Sequence, residues 1–318
     1  MRAAVMQNGE RPVYAGFREP EATEGSLVVA VRAAALTGFD RVVARRVHYF
    51  KMPDGPFVIG KEGVAQTRDG RRIYFTLKAP LGPFGSMAER TLIDPRFAFP
   101  IPDIVADNTA AALGNAGLAA WLALTWRGRL QAGETVLILG ATGVSGSIAV
   151  ALAKRLGAGR VIAGGRNGAA LQRARRFGAD ATVELAAGTD LAAAYRDAAG
   201  GTVDLVLDFV CGAPAEAALE LLSTHGRIVL IGSQAGTGIT VLGAPARRAC
   251  VDVMGFAYYH APMDAQIKAY AELCRLAAAG DIPLDIATRP LAEIGAAWDA
   301  PAEGDRRRQV LVPEWSDA

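Results

Sequence analysis

Residues 135–232 alternate between short apolar runs and segments with helical periodicity. The apolar runs are TVLILG, RVIAGG, ATVEL, VDLVLDF and GRIVLIG, and between them lie helical segments such as SGSIAVALAKRLG, GAALQRARRFG and APAEAALELLS. Near-continuous apolar strands that alternate with helices are typical of a parallel sheet that helices cover on both faces. This stretch therefore predicts a doubly wound α/β domain.

The rest of the chain has a different pattern of predicted strands and helices. The first hundred residues contain β-like runs such as SLVVAVRAAAL and RRIYFTL, separated by Pro, Gly and Asp, with a brief helical pattern near Asp40. Alanine-rich helical periodicity then extends from Asp107 to about Trp126, and the C-terminal residues return to β character in RRQVLVP. We expect a β-rich domain formed by residues 1–112 plus 258–318, and a doubly wound domain over residues 113–257.

Composition excludes several classes of partner and location. The 34 basic and 32 acidic residues are spread along the 318-residue chain, so no basic surface for nucleic acid or acidic lipid is indicated. Three cysteines without metal-ligand spacing fit a reducing cytoplasm. The N-terminus lacks an apolar signal core, and TAAALGNAGLAAWLALTW contains polar residues and stops at Arg127, which favours a buried helix over a membrane span. We expect a small-molecule substrate.

The segment ILGATGVSG joins the first apolar strand to its helix and places glycines at 140, 143 and 146. Such glycines allow a tight turn, a close approach to a pyrophosphate, and free N–H groups at the positive end of a helix. The position between a strand and a helix makes the motif considerably stronger evidence for a dinucleotide site than the glycine spacing alone. The alternative is that the glycines only allow close packing of the helix on the strand. The candidate ligands in this loop are Gly140, Thr142, Gly143, Val144 and Gly146.

The next strand ends at Arg166 and Asn167, where a carboxylate would be expected in a fold specific for NADH. An arginine there can pair with a ribose 2′-phosphate, so the sequence predicts NADPH. The alternative is that Arg166 is an ordinary surface residue. Further cofactor candidates lie at the carboxyl ends of later strands, where ligands bind in open α/β sheets: Phe209, Val210, Gly232 and Ser233.

The order of these parts resembles the medium-chain dehydrogenase/reductase superfamily and, within it, the zinc-independent quinone oxidoreductases. The likeness covers nearly the whole chain and depends on GNAGLAAWLAL, GATGVSG, RFGAD, VDLVLDFVCG, GRIVLIGS and RRQVLVP. It implies a Rossmann domain that binds NADPH and a GroES-like β-rich catalytic domain. It also implies a homodimer formed through the strand VDVMGFAYY.

The zinc enzymes of that superfamily hold a catalytic metal with cysteine, histidine and a second cysteine or carboxylate. The matching positions here are Thr37, Lys61 and Asn115. Threonine and protonated lysine do not suit Zn²⁺, so we expect no metal. Thr37 and Asn115 are instead candidates for cofactor binding, with Asn115 either orienting the nicotinamide end or capping a helix.

A metal-free site suits acceptors that delocalise the charge left by a hydride. A quinone gives a phenolate and an enone gives an enolate, whereas a simple ketone gives an alkoxide that needs a Lewis acid or a proton donor. We therefore expect NADPH-dependent reduction of a quinone or of a carbonyl-activated C=C bond. A zinc-independent aldehyde or ketone reductase and a non-catalytic NADPH-binding protein are the alternatives.

Three residues are candidates for the chemistry of the substrate. His48 and Tyr49 follow the short helix of the first domain and either could donate a proton, although the tyrosine often used by the family matches Val42 here. Lys61 interrupts an apolar strand. Its ammonium either attracts a developing oxyanion or forms an internal ion pair with Glu62 or Asp40, and the ion pair is the favoured interpretation.

Overall fold

The computed structural model describes residues 1–7, 11–44, 54–77 and 82–314. In chain order, the strands are β1 (Arg2–Met6), β2 (Val13–Gly16), β3 (Leu27–Ala35), β4 (Phe57–Val58), β5 (Glu62–Gln66), β6 (Arg72–Thr76), β7 (Arg90–Ile93), β8 (Ala98–Pro100), β9 (Thr135–Leu139), β10 (Arg160–Gly165), β11 (Ala181–Glu184), β12 (Val203–Asp208), β13 (Leu222–Leu230), β14 (Asp252–Gly255), β15 (Ile286–Pro290) and β16 (Arg308–Val312). The α-helices are α1 (Gly38–Ala44), α2 (Asp107–Leu122), α3 (Val144–Arg155), α4 (Gly168–Arg176), α5 (Leu191–Ala199), α6 (Ala213–Leu219), α7 (Gly243–Ala249), α8 (Met263–Ala278) and α9 (Ile294–Asp299).

The chain separates into two compact units. The first consists of Met1–Asn115 and Leu284–Ala318, and the second of Ala116–Pro283. The first boundary lies close to the expected one, but the chain returns to the first unit at Leu284 rather than at residue 258. The reason is that α8 buries one face within the second unit, and just beyond it Asp281 forms an ion pair with Arg155 of α3 at 2.8 Å.

The second unit contains the doubly wound sheet that the sequence predicts. Its six strands follow the order β11-β10-β9-β12-β13-β14, and every neighbouring pair is parallel. The chain moves outward from β9 in one direction and then returns to start again beside it with β12. This reversal is the topological switch point at which open α/β sheets bind ligands. The prediction of a Rossmann-type fold is confirmed.

Local sequence signals explain where the helices of this unit begin and end. Asn167 caps α4 by accepting a hydrogen bond from the amide of Ala170 at 2.9 Å, and Asp190 caps α5 in the same way. α5 ends at Gly200, which takes the left-handed conformation that terminates helices. β9, β10 and β12 are buried along almost their whole length and are mostly apolar, as expected of strands in a sheet that helices cover on both faces.

The first unit is rich in β-structure, as predicted. One sheet has the order β15-β16-β3-β5-β6-β8, with β7 paired to β3, and a smaller sheet has the order β2-β1-β4. β16 therefore brings the C-terminal part of the chain next to β3, through Val310 opposite Ala35. Buried side chains of both segments share one core: Met6, Val31, Phe57, Ile59, Phe75, Met87, Ile93, Leu291 and Leu311.

The alanine-rich helix begins at Asp107 and continues past Leu122 as a π-helical turn, Ala123–Arg127. Its extent matches the predicted one. Within the described part of the chain, no helix combines the length and the apolar character that crossing a bilayer requires.

Candidate functional site

The loop that follows β9 contains two glycines that its shape requires. Gly140 has a φ of +85°, and a Cβ atom there would lie 2.9 Å from Cγ1 of Val210 and 3.2 Å from Cβ of Phe209. A Cβ atom on Gly146 would collide with the carbonyl oxygen of Gly140. Because neither position has room for a side chain, the loop backbone turns tightly against the first turn of α3.

Gly143, the middle glycine of the motif, is exposed. It is the N-cap residue of α3, and the nearest atom to a Cβ there would be the carbonyl oxygen of Gly140, at 3.5 Å. The first amides of a helix have no acceptor within the helix, and the helix dipole makes this end positive. The half-buried Val144 opens α3, so its backbone belongs to this donor surface. The loop can therefore bind a phosphate group.

The neighbouring strand end adds a cation. Thr142 packs its methyl group on Gly165 at the end of β10, where a Cβ atom would lie 2.5 Å from Thr142 Cγ2. Arg166 follows and is exposed, whereas the side-chain oxygen of Asn167 is used to cap α4. Arg166 is thus available to a ligand at the carboxyl end of β10.

The ends of β12 and β13 complete this side of the sheet. Phe209 and Val210 contact Gly140, and the carbonyl oxygen of Phe209 occupies the space that a side chain at position 232 would need. Ser233 is exposed beside Gly232. The structure therefore brings the predicted residues of four separate strand ends, those of β9, β10, β12 and β13, to the same edge of the sheet in the second unit.

A second group of residues lies inside the first unit. It consists of five polar or charged side chains that are at most 7% exposed. The members are Thr37, Asp40, Lys61, Glu62 and Arg308, and we call them the buried ion cluster. Two carboxyl groups and two cationic groups make the cluster neutral when all four are ionised.

Glu62 is the most constrained member of this cluster. One of its carboxylate oxygens accepts hydrogen bonds from the Tyr74 hydroxyl and from the Asn115 amide, both at 2.5 Å, and the other faces Nη2 of Arg308 at 3.1 Å. A Cβ atom on Gly114 would lie 2.5 Å from the first of these oxygens. Glycine at 114 therefore allows the carboxylate to reach the backbone of α2.

Asp40 is held by hydrogen bonds from Thr37, three residues earlier in the chain. One oxygen of its carboxylate accepts hydrogen bonds from the amide and from the hydroxyl of Thr37, each at 2.7 Å. Lys61 places its ammonium 4.3 Å from the ring centre of Phe39, a cation–π contact. Thr37 is therefore engaged within the cluster, and Lys61 is held beside α1.

Burial dominates the ionisation of this cluster. It raises the pKa of the Asp40 and Glu62 carboxyls and lowers the pKa of the Lys61 ammonium. Opposite charges within the cluster act against burial: Arg308 favours the ionised form of both carboxyls, and both carboxyls favour the charged lysine. The like charge of Asp40 acts with burial and raises the pKa of Glu62. Each charge therefore depends on its neighbours for stability.

Two predicted residues cannot be placed in this site. His48 and Tyr49, the candidate proton donors, lie outside the described residues.

The suggestion that Asn115 caps a helix is wrong, because α2 begins at Asp107 and Asn115 lies in its interior. The amide of Asn115 instead binds Glu62.

Comparison with known proteins identifies the family. A family model described as zinc-binding dehydrogenase matches residues 145–277. The solved structure of a probable oxidoreductase from Mycobacterium abscessus is 30% identical, with a TM-score of 0.80 over 98% of this chain and 99% of that one. The quinone oxidoreductase from Thermus thermophilus is 28% identical, with a TM-score of 0.78 over 98% of this chain and all of that one.

The chain belongs to the medium-chain dehydrogenase/reductase superfamily. It is similar to the quinone oxidoreductase branch of this superfamily. A third relative, the phthioceranic/hydroxyphthioceranic acid synthase of Mycobacterium tuberculosis, is 29% identical over 93% of this chain. The chain spans 14% of the length of that synthase.

The residues at the superfamily's zinc positions do not fit zinc. The Thr37 hydroxyl donates to Asp40, and Lys61 contributes a buried ammonium group whose charge Glu62 and Asp40 stabilise. Zn²⁺ in proteins takes thiolate, imidazole and carboxylate ligands. Over the described ranges, no group of three His, Cys, Asp or Glu side chains could hold a metal ion. Thr37 and Lys61 instead belong to the buried ion cluster, and Asn115 donates its backbone amide to Glu62 of that cluster.

The residues of the second unit do fit the nucleotide cofactor of a medium-chain dehydrogenase/reductase. A pyrophosphate needs a glycine loop that its oxygens can approach and unpaired backbone donors. The loop from Gly140 to Gly146 supplies the first feature, and the first amides of α3, which no side chain caps, supply the second. Arg166 supplies a cation at the neighbouring strand end.

Sequence reasoning missed three residues that shape these sites: Tyr74, Asp208 and Arg308. Tyr74 and Arg308 reach Glu62 from strands that are distant in the chain. Arg308 could have been found as a charged residue in the otherwise apolar strand RRQVLVP, which is the signal that identified Lys61. Asp208 could have been found in the same way, because it is a charged residue in the apolar run VDLVLDF.

Proposed function

We propose that this oxidoreductase is an NADPH-dependent, metal-free reductase that transfers a hydride to a quinone or to a carbonyl-activated C=C bond. The observation that carries the proposal is the buried ion cluster, which includes Thr37 and Lys61, two of the three positions that match the metal ligands of the superfamily's zinc enzymes. A site of this composition suits acceptors that spread the new negative charge over their own conjugated atoms.

The cofactor assignment is supported by the glycine loop and by Arg166. The loop amides would bind the pyrophosphate, and Arg166 would pair with the 2′-phosphate that distinguishes NADPH from NADH. The quinone oxidoreductase of Thermus thermophilus, 28% identical to this chain, has been solved in complex with NADPH. When bound, NADPH supplies the hydride.

The residues of the first unit would serve the acceptor. Tyr49 or His48 would hold the proton that neutralises the reduced acceptor. The electrostatic interaction of the buried Lys61 charge with Glu62 and Asp40 supports the internal ion-pair interpretation. In that case Lys61 preserves the shape of the site, and the acceptor itself carries the developing charge.

The cofactor preference is tested by replacing Arg166 with aspartate. We expect Arg166→Asp to weaken NADPH binding strongly and NADH binding little, because a carboxylate repels the 2′-phosphate and accepts from ribose hydroxyls. Titration of both cofactors by fluorescence measures the two Kd values. The matched control is Arg196→Asp in the last turn of α5, an equal change of charge on an exposed arginine. α5 leads into β12, so Arg196 lies near the amino ends of the strands. Equal binding of NADH and NADPH by the unaltered protein would contradict the proposal.

The acceptor class is tested by following NADPH oxidation with a quinone, an enone and an aldehyde under the same conditions. Turnover with the quinone or the enone is expected. Turnover with the aldehyde alone would favour the rival carbonyl reductase. Tight NADPH binding without turnover would favour a protein that only binds the cofactor.

We also propose that the protein forms a homodimer in a reducing cytoplasm. The support is β14, which is the last strand on its side of the six-stranded sheet and exposes the apolar side chain of Val253 by 39%. An edge strand with an apolar face can pair with its copy across a two-fold axis.

A further inference from the structure

The last residue of β12, Asp208, is a fully buried carboxyl group that the proposed reaction does not use. One of its oxygens accepts hydrogen bonds from the amides of Val210 and Cys211, at 2.9 and 2.8 Å. The other oxygen is buried and has no hydrogen-bond partner in the described chain. Such a group is costly to bury, so its position calls for an explanation.

The turn that Asp208 holds has an unusual backbone. Cys211 has a φ of +63°, a backbone conformation that residues other than glycine rarely adopt. Gly212 follows with a φ of +71°. The amide of Cys211 is one of the two that bind Asp208. The carboxyl group therefore offsets the strain in the turn.

The same turn forms one wall of the glycine loop. Phe209 and Val210 are the residues nearest to the missing side chain of Gly140, and the Phe209 carbonyl oxygen closes the corresponding space at Gly232. On its far side, the Val210 carbonyl oxygen accepts from the amide of Ala235 at 2.6 Å. A shift of the turn would therefore move the surfaces at the ends of β9, β12 and β13 together.

We infer that Asp208 is a positioning residue for the dinucleotide: by binding the amides of Val210 and Cys211, it fixes the turn against Gly140. The inference depends on the proposed function, because it assigns the glycine loop to NADPH. Asp208 acts only through the turn, since its own oxygens are buried. Removing it would widen or displace the wall beside the pyrophosphate.

The test compares Asp208→Ala with Asp208→Asn. Asparagine keeps an oxygen that can accept from both amides, whereas alanine removes it. We expect Asp208→Ala to raise the Kd for NADPH by roughly tenfold or more, and Asp208→Asn to stay within about threefold of the unaltered protein. Binding is measured by fluorescence titration, on variants that circular dichroism shows to be folded.

Asp204 provides a matched control at the other end of the same strand. Its carboxylate also accepts two hydrogen bonds, from the Thr135 amide at 2.9 Å and the Ser223 hydroxyl at 2.6 Å. Asp204→Ala should lower the melting temperature and leave NADPH affinity unchanged. An equal loss of affinity in Asp204→Ala and Asp208→Ala would overturn the inference, because general destabilisation would then explain both. Unchanged affinity in Asp208→Ala would also overturn it.

A second measurement separates this inference from the proposed function. Amide hydrogen exchange on the cofactor-free protein should become faster at residues 209–212 and 140–146 in Asp208→Ala, and not in Asp204→Ala. If the unaltered protein binds no NADPH, the proposed function fails, and the exchange pattern still decides whether Asp208 fixes the turn. Unchanged exchange at 140–146 would show that the turn does not control the loop.

Discussion

Replacing Arg308 with methionine should destabilise the first unit, because the Glu62 carboxylate would lose the cation that it faces. Arg308 is 7% exposed and Glu62 is fully buried, with 3.1 Å between Nη2 and the carboxylate oxygen. Methionine fills much of the volume but leaves Glu62 without its cationic partner. Removing one member of a buried ion pair costs about 3–5 kcal/mol of unfolding free energy.

The loss should depend on pH in a defined direction. Burial already raises the pKa of Glu62, and removing Arg308 raises it further because Arg308 favours the ionised form. A glutamate with a raised pKa binds more protons in the folded state than in the unfolded state. The stability of Arg308→Met should therefore fall as the pH rises above the ordinary glutamate value of about 4.3. The difference from the unaltered protein should be larger at pH 7 than at pH 5.

Urea denaturation followed by tryptophan fluorescence and circular dichroism measures this difference at both pH values. The matched control is Arg307→Met, at the preceding position, whose guanidinium is exposed and paired with Asp305 at the surface. That variant should stay close to the unaltered protein at both pH values. The double variant with Glu62→Gln should recover part of the loss, because it removes the unpaired charge.

Three results would refute this reasoning. The first is a loss below about 1 kcal/mol at pH 7, which would mean that Arg308 is not needed to balance Glu62. The second is a loss that does not change between pH 7 and pH 5. The third is a double variant that is no more stable than Arg308→Met alone.

Two further predictions concern Lys61 and the edge of the parallel sheet. Lys61→Met should lower the free energy of unfolding but leave kcat within about threefold of the unaltered protein. The reason is that an ion-pair residue contributes to folding rather than to the transition state. A folded variant that loses turnover would show that the ammonium serves the acceptor. Val253→Asp should convert a dimer into a monomer in analytical ultracentrifugation, because a charge on the outer strand opposes edge-to-edge pairing. The control is Ile104→Asp, an equally apolar position in the first unit that is 66% exposed. A variant at Val253 that remains dimeric would place the contact elsewhere.

The doubly wound sheet could be predicted because its signal is local. β9, β10 and most of β12 are short apolar runs, and the strand lengths of β9 and β10 follow the sequence to within one residue. The glycine loop was predictable for the same reason: Gly140 and Gly146 are required by a turn of a few residues. These features depend on contacts within one strand–loop–helix segment.

The buried ion cluster was only partly predictable, because it depends on contacts between distant segments. The sequence indicated a pairing of Lys61 with Glu62 or Asp40, but it did not indicate that Arg308 comes from β16 to face Glu62. Tyr74 was not singled out, because a tyrosine in a β-like run is usually a packed residue of the hydrophobic core. The return of the chain at Leu284 was also missed, since a helix carries no sign of which unit it packs against.

The buried ion cluster also bears on redesign. Cysteine at 37 would remove the hydroxyl that donates to Asp40, and histidine at 61 would remove an ammonium that two carboxyls stabilise. Arg308 would then stand as a fixed positive charge near any divalent ion placed there. Engineering a metal enzyme from this scaffold would therefore require coordinated changes at these positions, because each single substitution leaves another member of the cluster without its partner.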